Sequence, residues 1–362
     1  MHIHVLRRAL VGTLLVAVSA VAPSVASART HGLSKAQKLQ LRQLVAHSVS
    51  AQPQVLWGRQ RTLAAQASQA DVLTNDLINH GGDILRHPRA YVIFWGPEWA
   101  ANAAVTAGAQ TYHLDDARRY ITDFFSGIGG SPWNDVAAQY CQNVPIGTTD
   151  CTGIPGAEHI NNDPGGLAGT WVDSSTVPNP IVTSGLAENA VAQDPIATEA
   201  EKATVHFGYD PDAVYLVFTP PGYTATAYGS VYCAYHSQAS TLARSRTVQY
   251  AFMPYVPEQG AGCGAGTANK TNDAYGHDYF DAYSIDGGHE YSEAETDPGN
   301  FFSFQDGWND DQTSENGDKC AYINLHNITL TMPDQTQQYF AVQPTWSNHD
   351  FDTGNADAGC AG

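Results

Sequence analysis

The chain has 362 residues, of which 43% are hydrophobic and 15% charged, and its formal net charge is −19. That composition is globular rather than disordered. The acidic balance excludes nucleic acid as a partner, because phosphate binding needs a basic surface. The charge is also unevenly placed. Residues 29–70 carry six basic side chains (Arg29, Lys35, Lys38, Arg42, Arg59 and Arg61) and no Asp or Glu. From Asp71 onward all 36 acidic residues face nine Lys and Arg, a net of −27. Such a body suits extracellular solubility, cationic partners or bound divalent cations.

The first 28 residues read as a secretory signal. Arg7 and Arg8 form its basic start, Ala9 to Val21 its apolar core, and Ala26-Ser27-Ala28 a small-residue cleavage site. The apolar run is too short to span a bilayer comfortably, so the mature chain is expected to be secreted, without a membrane anchor. All six cysteines (Cys141, Cys151, Cys233, Cys263, Cys320 and Cys360) follow the signal. In an oxidising compartment they are expected to form disulfides. Six cysteines allow about 15 connectivities, and nearest-neighbour pairing is the simplest.

Residues 29–75 form a basic N-terminal segment. Leu39, Leu41, Leu44 and Val45 recur at helix-like spacing, so a helical pattern is predicted from Leu33 to about Ser68, interrupted at Pro53. The segment suits a pro-segment that docks by charge, a flexible wall-contacting tail or an N-terminal helical layer. The acidic domain is assigned to 76–362. It opens with a turn at His80-Gly81-Gly82, an extended piece at Ile84-Leu85 and a buried-type strand over 90–95, ended by Gly96-Pro97. A helix follows with Tyr120, Ile121, Phe124 and Phe125 on one face, stopped between Gly127 and Pro132. Residues 141–183 read as loop with short strands, one of them over 169–172. A helical pattern over 184–206 carries a kink or break at Pro195. Further strands are predicted over 214–218, 229–235 and 248–253, then a helix at about 281–297, then short strands alternating with Asn- and Asp-rich turns. Mixed elements without a regular βαβ period predict a single α+β domain.

The 281–297 helix carries the chemistry. His289, Glu290 and Glu293 form H-E-x-x-E. Residues four apart project from nearly the same side of a helix, so His289 and Glu293 can grip one metal ion, with Glu290 beside it as the candidate base. This is the zinc-hydrolase motif with Glu in place of the second His. Asp297-Pro298 closes the helix. A catalytic zinc keeps three protein ligands and an open position. Glu315 and Asp318 are the candidates for the third ligand, with Asp297 in reserve. One His with two carboxylates accepts Mn2+ or Ca2+ as well as Zn2+. His236 reads as a buried, hydrogen-bonded residue, with an oxyanion or supporting role as the alternative. His80 reads as structural, and Trp95, Trp99, Trp133 and Trp171 as core. Neither Ser230 nor Ser292 has the context of a nucleophile elbow.

Several segments, in order, resemble the phosphate-induced protein 1 (EXORDIUM-like) family. They are His80-Gly81-Gly82-Asp83-Ile84-Leu85, Tyr91-Val92-Ile93-Phe94-Trp95-Gly96 with Trp99, and Phe124 through Ser131-Pro132-Trp133 to Tyr140. The strand at 214–219, Tyr232-Cys233-Ala234-Tyr235-His236-Ser237 and the stretch from His289 to Thr296-Asp297-Pro298 complete the set. The resemblance covers roughly 80–335 in pieces. It implies an extracellular protein, linked in plants to the cell wall and growth. Plant members generally lack the His-Glu pair, whereas this chain is similar to a secreted bacterial branch that has it and that also matches at Glu315-Asn316-Gly317-Asp318-Lys319-Cys320. The expectation is a secreted metal-dependent hydrolase, most plausibly a peptidase, acting on an extracellular peptide or cell-wall substrate. The alternative is a non-catalytic extracellular or wall-associated binding protein with a structural ion or none.

Overall fold

The computed structural model describes residues 54–57, 75–182, 194–241, 245–303, 305–354 and 359–362. The signal sequence, the rest of the 29–75 segment and the first part of the helix predicted over 184–206 lie outside the described residues. The described residues form a single α+β domain.

Its centre is a six-stranded mixed sheet built from β1 (Gln54–Trp57), β2 (Arg89–Trp95), β3 (Leu167–Asp173), β4 (Ala213–Phe218), β5 (Tyr232–Ser240) and β6 (Thr247–Met253), in the order β1-β5-β6-β4-β2-β3. β6, β4, β2 and β3 are mutually parallel, and β5 runs antiparallel to both β6 and β1. The two central strands, Ala90-Tyr91-Val92-Ile93-Phe94-Trp95 and Val214-Tyr215-Leu216-Val217-Phe218, are near-continuous apolar runs because both faces of the sheet are covered. Their period-two alternation sends Val92, Phe94, Val214, Leu216 and Phe218 into one core cluster. Ile93, Trp95, Tyr215 and Val217 go into another.

The first cluster is closed by α1 (Leu114–Ile128) and α3 (Asp281–Thr296), and the second by α2 (Pro195–Phe207). Helix α1 turns Tyr120, Ile121, Phe124 and Phe125 inward, as its spacing predicted. Pro195, expected as a kink or break, begins a helix. It sits in the first turn of α2, where its missing N–H costs nothing, and Asp194 caps that turn through the Ile196 N–H at 2.8 Å. A third apolar cluster, with Tyr140, Trp308 and Trp346, lies under the long connections and contains Cys141, Cys151, Cys320 and Cys360. The disulfides are Cys141–Cys151, Cys233–Cys263 and Cys320–Cys360, the nearest-neighbour set. No helix among the described residues is long and apolar enough to cross a membrane. Both facts are consistent with a secreted or extracellular chain.

Two local predictions are corrected. Gln54-Val55-Leu56-Trp57 is strand, not part of a helix, because it completes the edge of the sheet along β5. Strand β5 begins at Tyr232 and runs to Ser240 rather than ending near 235. That shift carries His236 into the middle of the strand.

Candidate metal centre

Helix α3 is buried at every position from Asp281 to Thr296, charged residues included. Gly288 helps it lie this deep: a Cβ there would sit 3.3 Å from Phe124 and 3.4 Å from Trp133, whereas one at Gly287 would make an ordinary 3.4 Å contact with the Phe125 ring. A glycine inside a helix costs about 1 kcal/mol relative to alanine; at 288 it leaves room for the aromatic layer against the helix. The helix ends where Asp297-Pro298 predicted, with Asp297 as its C-cap.

The side chains of His289 and Glu293 meet, with His289 Nε2 2.9 Å from Glu293 Oε1. From the opposite wall β5 supplies His236, whose Nε2 is 3.5 Å from Glu293 Oε2 and 3.1 Å from Glu315 Oε2. A downstream loop supplies Glu315 and Asp318. It is docked onto α3 by the Asp318 N–H, which donates to Glu293 Oε1 at 2.9 Å, and by Asn316 Nδ2, which donates to the Ser292 carbonyl at 3.0 Å. Asp318 Oδ1 lies 3.8 Å from His289 Nε2. Behind the loop the Cys320–Cys360 disulfide and a buried Lys319–Asp310 pair at 3.2 Å hold its exit. Lys319 is thereby engaged away from the cluster.

Two sets of three ligand atoms result, each mutually within 4.8 Å: His289, Glu293 and Asp318, and His236, Glu290 and Glu293. Glu293 belongs to both. Glu315 adjoins through His236. Asp297 takes no part, since its carboxylate accepts from the Gly307 N–H at 2.7 Å and from Asn309 Nδ2 at 3.3 Å. His80 meets the Asn309 carbonyl at 3.2 Å, outside the cluster. A third group, Cys233, Cys263 and Asp286, offers no thiolate because its cysteines are joined.

The spacing of the donor atoms is informative. His289 Nε2 and Glu293 Oε1 are close, yet His289 Nε2, Glu293 Oε2 and Glu315 Oε1 are buried without a hydrogen-bond partner. Buried polar atoms are normally paired. Donors that converge on a common point, rather than on each other, are what an ion requires: ligands about 2.1 Å from a metal lie roughly 3.0–3.5 Å from one another. The electrostatics agree. Burial, with His289 nearby, pushes the His236 imidazolium down to about 3, and burial pushes His289 down to about 4, so both rings are neutral. Burial also pushes Glu293 and Glu315 well above the usual carboxylate range; for Glu315 the neighbouring Glu293 adds to it. Burial and the charge of Glu293 raise Asp318 to about 8, although 24% of its side chain reaches the surface, which moderates the effect. Among the described residues the ion-pair partners of Glu293, Glu315 and Asp318 are these two neutral histidines. A divalent cation bound here would supply the positive charge that keeps these carboxylates ionised.

Gly317 lets the loop approach this closely. Its φ of −73° is ordinary, but a Cβ there would lie 2.9 Å from both Glu293 Oε1 and His289 Nδ1. Gly317→Ala is therefore expected to push the loop off α3. The expected outcome is a loss of divalent-ion affinity of about 10–100-fold, the scale for disturbing groups that orient ligands, with an unchanged far-ultraviolet circular dichroism spectrum. Calorimetric titration of both proteins checks it.

Two site residues were missed or underread from sequence. His236 shares a face with Ala234, opposite Tyr235, and the alternation of the strand was the available signal. Gln343 gave none. Its Nε2 is 2.9 Å from His289 Nδ1 and 2.9 Å from the Gly317 carbonyl, so one amide orients both the ring and the loop. Comparison with protein-family models, curated proteins and solved structures gave no match.

Proposed function

We propose that the chain is a secreted metal-dependent hydrolase, most plausibly a peptidase, with its ion between α3, β5 and the 315–318 loop. The observation that carries this reading is the convergence of unpartnered, fully buried donors from His289, Glu293 and Glu315 beside His236. The mixed nitrogen and oxygen set suits Zn2+ or Mn2+, with Ca2+ favoured less as the number of imidazoles rises. When bound, the ion would polarise a substrate carbonyl and acidify a water. Glu290, next in the chain to His289 and grouped with His236 and Glu293, is the base. It takes a proton from the attacking water as the water oxygen bonds to the carbonyl carbon. When the C–N bond breaks, that proton passes to the leaving amine. The resemblance to the secreted bacterial branch of the phosphate-induced protein 1 family belongs to the same proposal. So does an extracellular peptide or cell-wall substrate.

The second reading is a binding protein with a structural ion or none, and two observations favour it. Only Asp318 among the cluster carboxylates reaches the surface, whereas a catalytic ion needs an open position. The Gln343 amide nitrogen also faces His289 Nδ1, where a ligating histidine ordinarily donates to an acceptor. A mixed peptide library incubated with the metal-loaded chain separates the two readings. New termini that appear with the ion and vanish with a chelator support the hydrolase. Intact peptides across Zn2+, Mn2+ and Ca2+, with an ion bound, support the second.

A further inference from the structure

The strand that completes the sheet comes from the basic N-terminal segment and lies beside the cluster. β1 pairs antiparallel with β5 in the register Gln54↔His236, Val55↔Tyr235, Leu56↔Ala234 and Trp57↔Tyr232, with an irregularity between Leu56 and Trp57. β1 therefore runs directly opposite the residue whose ring meets Glu293 and Glu315, and it also packs against α3. The other edge of β5 is taken by β6. Without β1, β5 would be an edge strand with a row of unpaired N–H and C=O groups next to the cluster.

We propose that the outer edge of β5 is the docking edge for an extended peptide, and that residues 54–57 are its built-in occupant. The proposal rests on the hydrolase reading for its consequence and on the strand pairing for its geometry. A peptide added antiparallel to β5 gains main-chain hydrogen bonds whatever its sequence. Opposite His236 its backbone would lie one strand spacing, about 4.8 Å, from β5, in the place where β1 meets α3. Three features fit a removable occupant. The strand is only four residues long. Its register ends in an irregularity. It also belongs to a stretch with six basic and no acidic side chains, in a chain whose part from Asp71 onward carries a net charge of −27, and such opposite charges favour docking.

The test uses the full chain, loaded with Zn2+ or Mn2+, and a fluorescent synthetic peptide with the sequence of residues 50–60. Val55→Pro removes a strand amide and opposes pairing. A second variant has residues 54–57 replaced by alternating glycine and serine. Because an occupied edge taxes apparent affinity by the fraction open, both variants are expected to bind the peptide at least about 10-fold more tightly than the parent. Hydrogen exchange at β5 is expected to quicken in the variants and to slow again when peptide is added. Hydrolysis of extended peptides is expected to rise by a similar factor. Equal peptide binding by parent and variants would overturn the docking edge, as would unchanged exchange at β5. Ion content is measured on the same samples. Tighter peptide binding without an ion keeps the docking edge and removes the hydrolase, while an ion with no change in peptide binding removes the docking edge and leaves the hydrolase to be decided by peptide cleavage.

Discussion

Replacing Glu290 by glutamine is expected to leave the ion bound and to lower peptide hydrolysis by about 10²–10⁴-fold, the range for loss of a positioned general base. The substitution keeps the shape of the side chain and removes its basicity. Glu290 is fully buried on α3, so an isosteric change is the appropriate probe. The ion is retained because His289, Glu293 and Asp318 form a ligand group without Glu290. The pH profile of the remaining activity discriminates further: the limb that reports the base should disappear. A variant that loses its ion together with its activity would make Glu290 a ligand. A variant with full activity would remove it from the chemistry.

Removing the ion is expected to destabilise the chain, and increasingly so as pH rises from about 6.5 to 8. Asp318, with an ordinary value of 3.8, is raised by burial and by Glu293 to about 8, and burial raises Glu293 and Glu315 as well. In the ion-free fold these groups hold protons that the unfolded chain has released, so stability falls as pH climbs toward 8. The histidines act in the opposite sense. Lowered from 6.5 to about 3 and 4, they add stability as pH rises, and that gain is complete by about 6.5. Above that point the slope is set by raised carboxylates, those of the cluster together with Glu199, Asp286, Glu295 and Asp297, and the ion-dependent part of it belongs to the cluster. A bound divalent ion holds the cluster carboxylates ionised and removes their part of the loss. An ion at about 100 times its Kd stabilises by about 2.7 kcal/mol, which for a domain of this size shifts Tm by roughly 4–5 °C. Differential scanning fluorimetry at pH 6.5 and 8, with ion and with chelator, reads both effects. Melting curves that coincide with and without ion at pH 8 would contradict the expectation.

The parts of this fold legible in the sequence are those where one local signal decided the outcome. The runs Val92-Ile93-Phe94 and Val214-Tyr215-Leu216 are strands because both of their faces are covered, and the aromatic face of α1 fixed its orientation. The meeting of His289 with Glu293 on the 281–297 helix followed from helical spacing, and its Asp297 end from Pro298. What was not legible depended on contacts distant in sequence. His236 belongs to the cluster because β5 crosses α3, and the residue itself gives no sign of that partner. Gln343 is 54 residues from His289 and reaches it from a short stretch between two strands that no local pattern announces. Residues 54–57 lost a helical pattern to a sheet edge more than 170 residues away, where pairing along β5 outweighs local preference. Among the two downstream carboxylates, spacing offered no choice. The loop turns Asp318 toward His289 and Glu315 toward His236, and Gly317 between them provides the room.

The account stands on a divalent ion held by His289 and Glu293 with His236, Glu315 and Asp318 around them. Isothermal titration of Zn2+ or Mn2+ into the chelator-stripped full chain at pH 8, with elemental analysis of the dialysed product, tests this most directly. The account predicts about one tightly held ion per chain, lost when His289 is replaced by alanine. No heat of binding and no retained metal under either ion would contradict it.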